Sequence, residues 1–545
     1  MLRTSQRIGP GAREGEGVTH ASPAGGALVP RAAYAGRVLT RADVATALRL
    51  PEAAVPEAFA GSPGITAVTH DSRAVEPGAA FVAVSGFKSD GLRFAASALA
   101  GGASLVVAER EWPTAADREA DPQIAEIEAA GPLPVVVVPN AREALGLLAA
   151  AVNGHPSRSM RVHGITGTNG KTTTSYVLYN LLAGILGKDK VGLSTTVEVI
   201  IDGVGRPAMR TTPEAPLVQE NLRRMVEAGA SDAVLETSSH GLELHRVTGV
   251  EYASAIFTNL TRDHLDIHGD METYFQVKRQ LFERTEGPRL ANVDDDYGRR
   301  LAREFPGSLT FGYSPEADYQ IVEPTDLTLE GMQFTLRTPG HGELRLEPPL
   351  VGDYNALNVA GAVAVALESG HDPLAVVDAV KGLGQVPGRF QRIAEAADHG
   401  FMAVVDYAHT EVGLEMVLTV ARKIADMAGG RLICVYGAAG ERDAAKRPLM
   451  GEVVSRIADV GIITTDDSYG EDPVTIADEV MAGADPADTH IVVDRREALL
   501  EAVAMAREND LLIACGKGDE SFQHLPEGDV DHHDPTSIRE GLSLR

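Results

Sequence analysis

Only two cysteines, Cys434 and Cys515, and one tryptophan occur in 545 residues, and aromatic residues make up 5% of the chain. Two cysteines cannot frame a disulfide-stapled fold. Both lie in apolar runs, Leu432–Tyr436 and Leu511–Cys515, where a thiol packs as a small core residue. The chain also lacks a long hydrophobic run: Pro134–Val138 and Ala360–Leu367 fall far short of the ~20 apolar residues a bilayer crossing requires. Cations are in deficit, with 49 Lys and Arg against 77 Asp and Glu, a formal charge of −28. Such a balance argues against nucleic acid as a partner, because phosphate-backbone binding needs a basic surface. It serves solubility, and it means that an anionic substrate must be drawn in by a local basic cleft or by helix N-termini against the global field. Residues 1–35, rich in Gly, Ala, Arg and Pro, lack the apolar stretch of a secretory signal and read as a disordered tail. The composition fits a reducing cytoplasm.

What is present is ordinary for a globular chain of three or four domains. The periodicity predicts an α/β fold in three blocks. Residues 36–139 alternate short strands (Phe81–Val84, Leu105–Val107) with Gly turns and an Ala-rich helical stretch, a small α/β module. Residues 140–386 open with a helix, Ala141–Val152, and a strand, Met160–Ile165. They continue as a parallel-sheet domain whose short strands, Ala233–Leu235 and Ala255–Phe257, each run into polar, His-rich loops. Ligands of such sheets gather at the carboxyl ends of the strands. Period-two alternation in residues 317–349 predicts an antiparallel insertion. Residues 387–545 carry strands at Ala403–Asp406, Leu432–Tyr436, Val460–Thr465, Ile491–Val493 and Leu511–Cys515, a doubly wound, Rossmann-like domain.

The strongest chemical signal is Gly164-Ile-Thr-Gly-Thr-Asn-Gly-Lys-Thr172. It follows a strand and precedes a helix expected over Thr173–Leu182. Its turn (Gly167, Thr168, Asn169, Gly170) offers backbone N–H groups to a polyphosphate, and the helix N-terminus adds partial positive charge. Lys171 reaches the β- and γ-phosphates, while Thr172 and Thr173 follow, Thr172 able to hold Mg²⁺. It is not a strict Walker A sequence, since Ile165 stands where the first Gly belongs. Two further strand ends carry Leu235-Glu-Thr-Ser-Ser-His240 and Thr258-Asn-Leu-Thr-Arg-Asp-His-Leu-Asp-Ile-His268. Moving a γ-phosphoryl group needs a divalent cation to neutralise developing charge, and Glu236 and His264 are candidate ligands at neighbouring strand ends. Lys278, in the amphipathic stretch Tyr274–Phe282, reads on its own as a solvated surface charge.

Thr166-Gly-Thr-Asn-Gly-Lys-Thr-Thr173 resembles the P-loop of the Mur ligase family, and the chain from about residue 60 onward is similar to that family. Within it, the chain most resembles the MurE-type UDP-N-acetylmuramoyl-tripeptide synthetases. That resemblance implies an ATP-dependent, ADP-forming acid–amino-acid ligase of peptidoglycan precursor synthesis. It would join a third amino acid to UDP-N-acetylmuramoyl-L-alanyl-D-glutamate with ATP and Mg²⁺, in the cytoplasm and as a monomer. Lys171, Glu236, His264 and Lys278 become the catalytic set. Thr172, Glu236, His264 and a CO₂-carbamylated Lys278 become the metal-side groups. Asn355 and Asn358 are placed near the base, Arg389 at the phosphates, Asp406 at the ribose and His409 near the nucleotide. Glu411 replaces the usual Pro after His-Thr, so that loop is expected to differ. The first block, with Asp71-Ser72-Arg73 and Ser85–Gly91, becomes the uridine-diphosphate module. Ser72, Thr211, Thr212, Ser238 and Arg246 become contacts to the sugar nucleotide and its peptide. Leu244 departs from a common Gln.

The amino-acid end departs more. Diaminopimelate-adding relatives carry Asp-Asn-Pro-Arg where this chain has Asp466, Asp467, Ser468 and Tyr469, so the Arg that would grip a distal carboxylate is absent. Gly516 and Glu520 are retained, Asp519 replaces a His, and Arg442 lies nearby as a substitute cation. Two carboxylates without that Arg suit a distal ammonium, which predicts L-lysine or L-ornithine rather than meso-diaminopimelate. Two rival readings stand beside this one. Folylpolyglutamate synthetases share the chemistry but lack the first block. A catalytically inactive nucleotide-binding scaffold or regulator would have been favoured by loss of Lys171, Glu236, His264 or Lys278, all of which are present.

Overall fold

The computed structural model describes residues 37–57, 64–86, 89–263, 265–328 and 330–545. The expected N-terminal tail, Phe87–Lys88 and His264 therefore lie outside the described residues. Mixed α/β structure is arranged around three main sheets. The first is four-stranded and parallel, in the order Ala67–Thr69, Ala79–Val82, Leu105–Ala108, Val135–Val137. Its face is closed by the helix Ala141–Val152, whose start is capped by the Asn140 side chain accepting from the Glu143 amide. That helix packs in turn on Ala215–Glu227 of the second unit, so the first sheet is tied to the second through two apolar helix faces.

The second sheet has eleven strands. At its centre Arg161–Thr166 runs parallel between Asp232–Glu236 and Ser254–Phe257, with Ile165 paired to Glu236 and Thr166 to Phe257. Apart from Arg161, all three strands are buried along their length, as expected for strands covered on both faces. The antiparallel strands Tyr319–Leu327, Met332–Thr338 and Gly342–Leu346 are where alternation placed them. They are no separate insertion: Tyr319–Leu327 pairs in parallel with Leu309–Gly312 and extends the same sheet. At the other edge, Val191–Ser194 and the hairpin Glu198–Ile201/Val204–Pro207 add three strands.

The third sheet runs Gln391–Ile393, Met402–Asp406, Leu511–Cys515, Leu432–Tyr436, Val460–Ile463, Thr489–Ile491, parallel except for its first strand. It is doubly wound, as the spacing of its apolar runs predicts. Cys434 and Cys515 are free and buried in it. No helix among the described residues is long and apolar enough to cross a membrane.

Candidate active site

The three central strands end side by side, and their ends open into a cavity of about 860 Å³. The loop after Arg161–Thr166 wraps its edge. Gly170 takes φ of +83° and Gly167 of +150°. A Cβ on Gly167 would sit 1.9 Å from Thr258 Oγ1, and one on Gly170 2.6 Å from Asn358 Oδ1, so glycine is required at both positions. The helix then starts at Lys171, two residues before the expected Thr173, and runs to Leu186. The second strand end holds this loop in shape. Asn259 accepts from the Asn169 amide (2.9 Å) and donates back to the Asn169 carbonyl (3.1 Å), and Thr258 Oγ1 donates to the same carbonyl (2.6 Å). Lys171 Nζ donates to Thr168 O at 2.8 Å, and burial pushes its ammonium below the ordinary lysine value.

Glu236, 2% exposed, closes the strand on the other side. Thr172 Oγ1 donates to both its carboxylate oxygens (3.2 and 3.1 Å), and the Thr196 amide approaches one of them (3.3 Å). A buried carboxylate and a hydroxyl side by side form a hard oxygen donor pair that fits Mg²⁺. Among the described residues no group of three or more His, Cys, Asp and Glu could hold a metal. His264, expected as a partner, lies outside them.

Lys278 corrects the surface reading of its helix. Within Met271–Glu283 the buried positions are Tyr274, Phe275, Val277, Lys278, Leu281 and Phe282. Lys278 thus lies one turn after Tyr274 on the inward face, and it is 1% exposed. Its Nζ donates to Gly167 O at 2.6 Å and lies 4.6 Å from the centre of the Tyr274 ring, whose hydroxyl meets Thr168 Oγ1 at 3.3 Å. Burial, reinforced by the neighbouring Lys171 charge, holds its pKa well below the ordinary value.

Across the cavity, Thr212 Oγ1 donates to Glu236 O (3.0 Å) and accepts from the Ser238 amide (3.0 Å). Arg246 donates to Thr212 O (3.1 Å) and pairs with Glu214 (2.9 Å). Thr211, Thr212, Ser238 and Arg246 all line the cavity. Ser72 does not: it sits in a short 3-10 turn of the first unit, capped by Asp71. Leu244 caps the short helix Ser239–Glu243.

The nucleotide-side expectations converge on the same cavity, where Asn355, Asn358, Arg389, Asp406 and His409 are lining residues. Asn358 Nδ2 donates to Asn355 Oδ1 (3.0 Å), and Thr174 of the P-loop helix donates to Asn358 Oδ1 (3.0 Å). Asp406 is held by the Phe390 and Ala408 amides (2.7 and 2.8 Å), and burial raises its pKa. His409 Nδ1 donates to Tyr407 O (2.8 Å). The altered loop after His409 has a simple outcome. Thr410 caps a helix, Glu411–Ala428, and Glu411 takes its first position, where a carboxylate suits the helix dipole as Pro suits the fixed φ.

Of the amino-acid set, Arg442 lines the cavity. The others form a cluster at the ends of Val460–Ile463 and Leu511–Cys515. Lys517, buried, bridges Asp467 (2.7 Å) and Glu520 (2.5 Å). One of the two carboxylates expected to receive a distal ammonium is therefore already paired within the protein. Tyr469 takes φ of +49°, stacks on His524 with ring centres 5.2 Å apart, and carries Arg442 5.5 Å from its ring centre. A Cβ on Gly516 would meet Asp466 Oδ2 at 2.4 Å.

Family models match three stretches of the chain: Mur ligase family, catalytic domain, over residues 64–153; Mur ligase middle domain over 165–366; and Mur ligase, glutamate ligase domain, over 388–518. The chain belongs to the Mur ligase family. It is thus an ATP-dependent ligase. Among its relatives is the UDP-N-acetylmuramoyl-L-alanyl-D-glutamate–2,6-diaminopimelate ligase of Gloeobacter violaceus, 39% identical over 487 residues, 88% of this chain and 94% of that protein. The ligase of the same name from Chromobacterium violaceum is 40% identical over 468 residues, 85% of this chain and 91% of its own. A solved structure of a ligase of that name superposes with a TM-score of 0.61 at 30% identity, covering 88% of this chain and 95% of its own. The folylpolyglutamate synthase of Mycobacterium tuberculosis, solved with ADP and AMPPCP, shares the fold at 17% identity and TM-score 0.56, over 74% of this chain and 93% of its own.

In this Mur ligase several residues that hold the site escaped the motif reading. Asn259 and Tyr274 lie inside stretches that were read for their charged members. Lys517 sits inside Gly516–Glu520 and Tyr407 beside Asp406. Arg495 had no signal beyond a helix-start charge, yet it is 1% exposed and bonds Asp534 and the Cys515 carbonyl.

Proposed function

We propose that this Mur ligase adds the third residue of the peptide stem to UDP-N-acetylmuramoyl-L-alanyl-D-glutamate, with a diamino acid as the incoming amine. The observation that carries this reading is the single cavity into which the P-loop, the Glu236 strand end and the Thr211–Arg246 face all open. The names of relatives alignable over most of the chain support it. The first unit, residues 36–139, would take the uridine diphosphate, with Ser72 in its outer reach. Residues 140–386 would take ATP and residues 387–545 the amino acid.

In this reading the dipeptide's terminal carboxylate oxygen attacks the γ-phosphorus, the bond to the β-phosphate oxygen breaks, and ADP leaves. The incoming amine then attacks the acyl-phosphate carbonyl, loses a proton, and expels inorganic phosphate. The chain's part is to position the reactants and neutralise charge. The Gly167–Gly170 amides and Lys171 hold phosphate oxygens, and Arg389 clamps them from the third unit. Arg246 and Ser238 hold the peptide acceptor. Thr172 and Glu236 would hold Mg²⁺, which when bound supplies electrostatic neutralisation of the phosphates. Lys278, its amine buried and held toward the neutral form, is suited to attack CO₂. That forms an N–C bond, releases a proton, and turns a cation into a carbamate anion on the metal side.

L-Lysine or L-ornithine is the amino acid favoured by Tyr469, because a phenol in place of a guanidinium forfeits a bidentate charged contact to a distal carboxylate. A second reading, meso-diaminopimelate, is favoured by Arg442 over the Tyr469 ring and by Lys517 neutralising Asp467. Competition among L-lysine, L-ornithine and meso-diaminopimelate decides. The first reading expects kcat/KM for the monocarboxylic diamines to exceed that for diaminopimelate by at least about tenfold, and the reverse order supports the second.

A further inference from the structure

Tyr407 stands between the two halves of the site just described. It follows Asp406, at the end of the first parallel strand of the third sheet, and it is half-buried. On one side its ring faces the Arg389 guanidinium, 4.2 Å from the ring centre. On the other its hydroxyl donates to Glu520 Oε1 at 3.2 Å. Burial raises the phenol's pKa, so it remains a donor at neutral pH. Glu520 is in turn bridged by Lys517 to Asp467. The backbone makes the same connection. Gly388, beside Arg389 and at φ +61°, packs so closely on the loop carrying Glu520 that a Cβ there would lie 2.3 Å from the Asp519 amide nitrogen.

We infer that Tyr407 is a positioning residue linking the phosphate clamp to the amino-acid pocket: its ring sets Arg389 and its hydroxyl sets Glu520. The inference rests on the reading above of Arg389 as phosphate-side and Glu520 as amino-acid-side. Its physical content is that the two ends of Tyr407 are separable. Removing the oxygen frees Glu520 to swing toward Lys517 alone, while the aromatic face under Arg389 stays. Removing the ring releases both. A hydrogen bond to a charged group is worth enough that its loss changes an affinity by roughly tenfold or more. Tyr407 thereby gives the pocket that receives the amine and the clamp that holds the phosphates a common support.

The test uses the full-length enzyme and steady-state kinetics with ATP, UDP-N-acetylmuramoyl-L-alanyl-D-glutamate and whichever diamino acid it turns over. Tyr407→Phe should raise KM for the amino acid roughly tenfold while leaving KM for ATP within about twofold. Tyr407→Leu should raise both. In a Glu520→Ala background, Tyr407→Phe should add nothing further, because the partner it orients is gone. An unchanged amino-acid KM in Tyr407→Phe, parallel rises for both substrates in that variant, or full additivity with Glu520→Ala would overturn the link. A Glu520→Ala enzyme with a normal amino-acid KM would instead remove the pocket assignment on which the link rests, so the two failures are told apart by that single variant.

Discussion

Lys171 and Lys278 bring two ammonium-bearing side chains to one P-loop, donating to the carbonyls of Thr168 and Gly167. Burial lowers both pKa values, Lys278 the more, with the Lys171 charge adding to the effect on Lys278. Their roles separate on mutation. Lys171→Ala removes the cation proposed to face the phosphates, and turnover should fall by about three orders of magnitude with the thermal midpoint little changed. Rapid-quench ADP formation checks it, and near-normal ADP formation would remove Lys171 from the phosphate site. Lys278→Ala should abolish ligation while binding of a fluorescent ATP analogue persists, and mass spectrometry of the native protein should find the carbamate mass on Lys278 under bicarbonate. Native-like turnover in Lys278→Ala would count against its metal-side role. The sequence was informative here in unequal measure. Strand, glycine turn, Lys-Thr and helix coincide at Lys171, so its place at the cavity edge was legible. The burial of Lys278 was legible only in hindsight, from its place one turn after Tyr274 in an apolar stripe. That Asp467 is paired to Lys517 could not be read at all, because the partners come from strand ends fifty residues apart in sequence.

At the scale of elements, buried polar side chains fix the strand ends and starts. At the end of the central sheet away from the cavity, His163 bridges Ser254 Oγ (2.8 Å) and Asp232 Oδ1 (3.0 Å), and Arg161 and Ser231 also bond Asp232. These contacts, though opposed by burial, depress the Asp232 pKa from 3.8 to about 2. A depressed carboxylate stabilises the fold fully above its unfolded value, and that contribution is lost as pH falls through the folded value. Wild-type stability should therefore decline below about pH 4 in part through this group. Asp232→Asn should be less stable at neutral pH and show a shallower acid limb in urea titrations; an identical limb would exclude Asp232 as a source. In the third sheet Arg495 pairs with Asp534 in two hydrogen bonds (2.8 and 2.6 Å) and donates to Cys515 O (2.9 Å). Arg495→Leu leaves the buried Asp534 carboxylate with His532 as its remaining side-chain partner and should cost about 3–5 kcal/mol by chemical denaturation. A cost under about 1 kcal/mol, the value of an exposed pair, would show that the pair bears little. Strands buried on both faces were legible as apolar runs, and Leu432–Tyr436 and Leu511–Cys515 match residue for residue. The edge hairpin Glu198–Pro207 was missed because its outer strand is exposed throughout and carries Gly and Pro. The last strand of the third sheet is Thr489–Ile491, not Ile491–Val493. Its apolar run outlasts the regular ladder: the Val492 amide still donates to Ile463 O, and the Val493 carbonyl accepts from the Thr465 amide and from the Thr464 and Thr465 side chains.

At the scale of the whole molecule, the second and third sheets present strand ends around shared space. In a chain with formal charge −28, seven cationic side chains, Lys171, Arg210, Arg246, Arg262, Lys278, Arg389 and Arg442, line that space beside six carboxylates, Glu236, Asp263, Asp294, Asp295, Asp406 and Glu411. That lining is far less acidic than the chain as a whole, which eases the approach of a polyanion. It also explains why composition alone bounded the class and could not find the site, since the lining is drawn from all parts of residues 168–442. ATP, the nucleotide-linked peptide and a free amino acid are expected to meet there in one reaction. The most direct measurement is inorganic phosphate release by the purified enzyme with ATP and Mg²⁺, with UDP-N-acetylmuramoyl-L-alanyl-D-glutamate and a diamino acid each present or omitted. Sustained release is expected only with both, matched mole for mole by UDP-N-acetylmuramoyl-tripeptide. Release indifferent to either one, or none with both, would contradict it.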